Sequence, residues 1–175
     1  MRYHLDVDFM DAALGAKRGV PLPDGRAIEL SIPAGVKDGQ ILRLRGKGQP
    51  GAGGGLAGDA YVEIGVRTHP VFARDGEDIE IELPITFDEA VLGVKIEVPT
   101  LSGKVSMTIP KGASSGRRLR LKGKGIKPAK GAAGDQHVRL MIVSPYKIDI
   151  EMEEIAQQWR DHVTQDPRGK LWRAL

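Results

Sequence analysis

The strongest constraint on this chain is that it repeats itself. The segment FMDAALGAKRGVPL (Phe9 to Leu22) lies over FDEAVLGVKIEVPT (Phe87 to Thr100), with Phe9 on Phe87, Ala12 on Ala90 and Leu14-Gly15 on Leu92-Gly93. Further along, IELSIPAGVKDGQILRLRGKG (Ile28 to Gly48) lies over VSMTIPKGASSGRRLRLKGKG (Val105 to Gly125), and Gly58-Asp59 meets Gly134-Asp135. The displacement shortens by one residue at each later block, as turns of unequal length require. Two copies in tandem are a duplication of a domain, not a solenoid, which stacks more units. The glycine-rich run RLRGKGQPGAGGG (Arg43 to Gly55) and its partner at Arg118 to Gly134 recur because a whole domain recurs.

Within each copy the apolar period is two. Ile28, Leu30 and Ile32 alternate with polar residues, as do Val62, Ile64 and Val66, then Ile79, Ile81 and Leu83, then Val105, Met107 and Ile109. Such runs are half-buried strands. Each copy opens with a short helical turn. Thr86 and Glu89 have capping-box spacing and Gly93 sits where a C-cap glycine belongs, with Asp8 and Gly15 in the same places of the first copy. The expected fold is all-β: two tandem, similar, small β-sandwich domains with short helical turns, plus a C-terminal α-helix. The expected boundaries are 1–76, 77–148 and 149–175. In the last segment Met152, Ile155, Ala156, Trp159 and Val163 recur at three and four, one helical stripe that ends before Asp166-Pro167. The stripe suits docking on the chain's own sandwich or on a second copy. Leu171, Trp172 and Leu175 follow on a basic end whose role is open.

Composition narrows the chemistry. The 175 residues include 23 Gly and 11 Pro, which favours many turns. There is no cysteine, so disulfides, thiol nucleophiles and cysteine zinc sites are excluded. No apolar run reaches the roughly 20 residues of a membrane helix, and no signal peptide shows at the start, so a cytoplasmic setting is expected. Gly46, Gly48 and Gly51 fit G-x-G-x-x-G, but that pattern cradles a pyrophosphate only between a strand and a helix. Here Pro50 interrupts and a strand follows, which points to an interstrand loop. His4, His69, His137 and His162 lack metal-ligand spacing, no serine stands in G-x-S-x-G, and carboxylates such as Glu80 and Glu82 mark the wet face of a strand. No catalytic residue, metal site or cofactor is nominated.

What remains is surface. Leu42 and Leu44 share one face of a strand, and Val20 and Leu22 share one on a neighbouring strand. A sandwich needs only its inner faces for a core. These four residues therefore suit either core packing or an apolar groove for a partner. The net charge of +3 is concentrated locally, above all in GRRLRLKGKGIKPAK from Gly116. Such clusters attract acidic peptide or nucleic acid, or simply solvate strand edges.

FDEAVLGVKIEVPTLSGKV, IPKGASSGRRLRLKGKG and the closing Gly134-Asp135 resemble the C-terminal half of DnaJ-type J-domain co-chaperones. RYHLDVDFMDAALGAKRGV, IPAGVKDGQILRLRGKG and GDAYVEIGVRTHPVFARDGEDI resemble the preceding repeat of that family. The absence of cysteine is similar to the subgroup without a zinc-finger insertion, such as the CbpA proteins. The resemblance covers roughly residues 2–150. It implies client-binding sandwiches, a C-terminal segment that dimerises, and delivery of non-native polypeptide to a DnaK-type chaperone in protein folding and the stress response. It favours a groove lined by Val20, Leu22, Leu42, Leu44 and Phe72 and flanked by Lys17 and Arg18, which would meet acidic residues of a client or of the partner chaperone. It also implies a weaker second site near Leu119 and Leu121, with Thr100 in the place of Leu22, and a homodimer through Met152, Ile155, Trp159 and Val163. The family's His-Pro-Asp and Gly/Phe-rich linker are missing, and His69-Pro70-Val71 is not a substitute. The chain is thus expected to be a fragment that binds clients without stimulating the partner's ATPase. Relatives named for curved DNA make duplex DNA the alternative partner. No aromatics suited to base stacking stand in the basic stretch.

Overall fold

The computed structural model describes residues 2–22 and 25–175. The chain divides into two compact units, Met1–Ile142 and Val143–Leu175.

The first unit contains both repeats, and each is built from two sheets. In the first repeat, β1 (Arg2–Val7) runs parallel to β5 (Ala60–Val66), which pairs antiparallel with β4 (Ile41–Leu44). The antiparallel hairpin of β2 (Ala16–Pro21) and β3 (Ala27–Ile32) forms the second sheet. Period-two alternation turns Val7, Val20, Leu30, Ile32, Val62 and Ile64 inward from both sheets into one core. The second repeat copies this plan. Strands β10 (Arg118–Leu121), β11 (Gln136–Ile142) and β7 (Asp78–Ile85) form one sheet, extended at its far edge by β6 (Ala73–Asp75). The hairpin of β8 (Val94–Thr100) and β9 (Gly103–Ile109) covers it. Ile79, Ile81, Ile85, Val98, Ile109 and Leu140 lie at the centre of the second core, all at 2 % exposure or less.

The two helical turns are α1 (Phe9–Leu14) and α2 (Phe87–Leu92). At α2 the backbone N–H and hydroxyl of Thr86 both donate to Glu89 Oε1 at 2.9 Å, as the capping-box spacing requires. At α1 the expected cap is not made by a side chain. The Asp8 carboxylate instead accepts from Arg67 Nη1 at 3.2 Å, because Arg67 emerges from β5 directly beside it. The glycine-rich run is the β4–β5 connection, with a single 3-10 turn at Ala52–Gly54, and no helix follows it. That is the interstrand loop expected from Pro50.

The repeats share a seam. Ala12 of α1 lies in the first core, while Phe9 and Ala13 of the same turn lie in the second. Ala129 N donates to Ala34 O at 3.0 Å, and Gly35 lies so close to Pro128 that a Cβ would come within 3.0 Å of its Cα.

The second unit contains α3 (Ile150–His162) and the short α4 (Gly169–Arg173). Asp149 caps α3 by accepting from Met152 N at 2.8 Å. Met152 and Val163 are half-buried, whereas Ile155 and Trp159 are exposed. Among the described residues no helix is long and apolar enough to cross a membrane.

Candidate functional site

Val20, Leu42 and Leu44 come together, but from the inside. Val20 is buried in the first core, and Leu42 and Leu44 are half-buried against it. Strand β4 has only four residues, and its inward face is the one the core needs, so Arg43 and Ile41 take the wet face. Leu22 differs. It is buried at 8 % exposure beyond the end of β2, where its N–H donates to Arg26 O at 2.7 Å. Beside it opens a cleft of about 290 Å³, lined also by Ile28, Lys47, Pro50 and Ala57.

Phe72 does not join this set. It belongs to the second core, where its ring stacks on Phe9 with centroids 6.2 Å apart and contacts His69 at 5.0 Å. His69 Nδ1 accepts from the N–H groups of Val71 and Phe72, so the His-Pro turn holds that ring inward. The larger cleft that Phe72 borders, about 680 Å³, has a rim already engaged within the chain: Arg67 with Asp8, and Arg74 with backbone carbonyls.

The flanking cations also have internal partners. Arg18 chelates Asp11 through Nε at 2.9 Å and through Nη2, which raises its pKa. Lys17 Nζ lies 3.6 Å from Glu29 across the hairpin, with both side chains exposed. Such a pair is weak and exchanges readily with another carboxylate. In the basic stretch Arg118 is held by Glu80 and Arg120 by Asp135.

Asp59 fixes Gly46, one of the residues that line the small cleft. Its carboxylate accepts from Gly46 N at 2.9 Å and Arg43 Nε at 2.7 Å, and these hold it below the usual carboxylate range. In the second repeat Asp135 accepts from Gly123 N at 2.8 Å in the same way. The cleft is not duplicated in character. Leu22's counterpart, Thr100, is buried, and its hydroxyl donates to Gly103 O at 2.6 Å to close a two-residue hairpin turn. Ile28, Lys47 and Ala57 escaped the sequence reading. The available signal was the hairpin itself, since pairing β2 with β3 sets Ile28 opposite Val20.

The model of the DnaJ C terminal domain matches residues 1–145. The chain belongs to the DnaJ C-terminal domain family. It is 41% identical over 153 residues to the chaperone protein DnaJ of Paraburkholderia phymatum, and equally so to that of Burkholderia thailandensis. Each match covers 84% of this chain and 41% of the relative. The DnaJ of Neisseria meningitidis is 43% identical over 150 residues, covering 83% of this chain and 40% of its own length. The chain thus spans about two fifths of the DnaJ relatives it matches. Both repeats of the first unit fall within the match, and so does the cleft beside Leu22.

Proposed function

We propose that this chain is the polypeptide-binding region of a co-chaperone. It holds extended, apolar segments of non-native polypeptide at the first repeat for transfer to a DnaK-type chaperone. One observation supports this above the others: a cleft with walls from Leu22, Ile28, Pro50 and Ala57 opens at the end of the β2–β3 hairpin, whose outer edges are unpaired among the described residues. Strand β2 pairs only with β3, so its outer edge carries no further strand among the described residues. A client strand added there gains main-chain hydrogen bonds, while one of its side chains enters the cleft between Leu22 and Ile28. Burying one leucine or phenylalanine contributes about 1.5–3 kcal/mol, which suits weak and permissive capture. Lys17 can exchange Glu29 for an acidic residue of the client. Pairing two copies through Met152, Ile155, Trp159 and Val163 raises avidity without new contacts at the cleft.

The test replaces Leu22 with Asp and follows both the aggregation of a thermally unfolded client and the melting of the variant. Loss of aggregation suppression with folding retained is the expected result. A folded Leu22→Asp chain that protects as well as the parent sinks the reading.

A further inference from the structure

The loop between Gly48 and Gly58 is built on the same frame as the loop between Gly125 and Gly134. Gly48 N donates to Gly58 O at 2.7 Å and Gly58 N to Gln49 O at 3.0 Å. In the second repeat Gly125 N donates to Gly134 O at 2.9 Å and Gly134 N to Ile126 O at 3.0 Å. The second loop is a docking element. Ile126 is buried in the second core, Pro128 packs on Gly35, and Ala129 N reaches Ala34 O. The first loop keeps the frame but leaves its one large aliphatic side chain in solvent, with Leu56 98% exposed.

Leu56 stands between Gly55 and Ala57, and both of these line the cleft beside Leu22. The loop base is pinned by Asp59 through Arg43 and Gly46. Above it the limbs approach closely, because a Cβ on Gly51 would come within 2.7 Å of the Gly55 and Leu56 carbonyl groups. Gly53 and Gly54 at the tip have φ of 67° and 84°. The result is a narrow glycine arm, anchored at its base, that carries an exposed apolar side chain between two residues of the cleft wall. A leucine left wholly in water gains free energy from any apolar group brought against it, and glycines on its N-terminal side let it move.

We infer that Leu56 is a clamp residue, which folds onto the apolar side chain of a polypeptide seated in the cleft and slows its release. The inference rests on the client-binding reading above. It makes the first repeat selective for segments whose side chain at that position is apolar and large enough to be covered.

The experiment measures a fluorescein-labelled, leucine- and valine-rich nonapeptide by anisotropy and by stopped-flow release. The parent chain is compared with Leu56→Ser, Leu56→Met and Leu22→Asp. Leu56→Ser is expected to raise Kd roughly tenfold through faster release, with association and melting temperature unchanged. Leu56→Met is expected to restore slow release. Unchanged or tighter binding by Leu56→Ser, while Leu22→Asp abolishes binding, overturns the clamp and leaves the site standing. Undiminished binding by Leu22→Asp, or no binding by the parent chain, overturns both.

Discussion

The guanidinium of Arg74, on the edge strand of the second repeat, donates through Nη1 to the carbonyl oxygen of Val36 in the first repeat at 2.7 Å. The same fork reaches Gly35 O at 2.9 Å through Nη2 and Gly76 O at 2.8 Å through Nε. With a side chain only 16% exposed, Arg74 joins the loop after β3 to the strand that begins the next sandwich. A planar fork satisfies several carbonyls at once, which a lysine ammonium on a flexible stem cannot match.

Arg74→Ala is expected to destabilise the first unit by about 2–4 kcal/mol, since charged donors to part-buried carbonyls are worth more than neutral ones. Arg74→Lys should recover little of this. Urea unfolding measures the loss, and hydrogen exchange should show residues 34–37 opening first. Unchanged stability and protection in Arg74→Ala would mean that the fork is ornamental.

Gly35 and Gly39 both have positive φ, 81° and 76°, but only Gly35 faces a neighbour, with Pro128 Cα 3.0 Å from where a Cβ would stand. Gly39→Ala should cost about 1–2 kcal/mol from backbone strain alone. Gly35→Ala should cost distinctly more, because the seam must also shift. Equal melting temperatures for the two variants would argue against the close approach.

Asp59 and Asp78 both have carboxyls held below the ordinary aspartate value. For Asp59 the cause is first the Gly46 N–H and then Arg43; for Asp78 it is first the Asp135 N–H and then His137. A carboxyl whose folded pKa is depressed stabilises the fold above its unfolded pKa, and that contribution disappears as pH falls through the folded value. Stability should therefore be full at neutral pH and decline below the usual carboxylate range. Asp59→Asn should be less stable than the parent at neutral pH and should converge with it in acid. Parallel pH profiles of the two proteins in thermal melts would contradict this.

Ile155 is 65% and Trp159 43% exposed on α3, on the stripe proposed to pair two copies. The double substitution Ile155→Asp with Trp159→Asp should convert a dimer to a monomer in sedimentation. It should leave the melting of the sandwich unit unchanged. A double variant that sediments as the parent does removes this stripe from the assembly.

Much of this architecture was legible in the residues. Strands β3, β5, β7 and β9 fall where the period-two runs place them, since alternation reports a half-buried strand wherever it folds. Thr86 with Glu89 marks the start of α2 because capping is a contact within one turn. The candidate site was less legible. The period that pairs Leu42 with Leu44 says they share a face, not that the face is the inner one. Phe72 falls inside the expected first domain, 1–76, yet its ring lies in the second core against Phe9.

Residue order alone specifies a duplicated, cysteine-free, mostly stranded scaffold with glycine-rich loops, because repetition and alternation are local properties. Packing of the sheets is what turns Val20 inward, brings Phe72 into the second core, and docks one glycine loop while its twin holds Leu56 in water. The reason is physical. A strand's period is identical for either face, and which face meets water depends on sheets brought together from residues far apart in the chain.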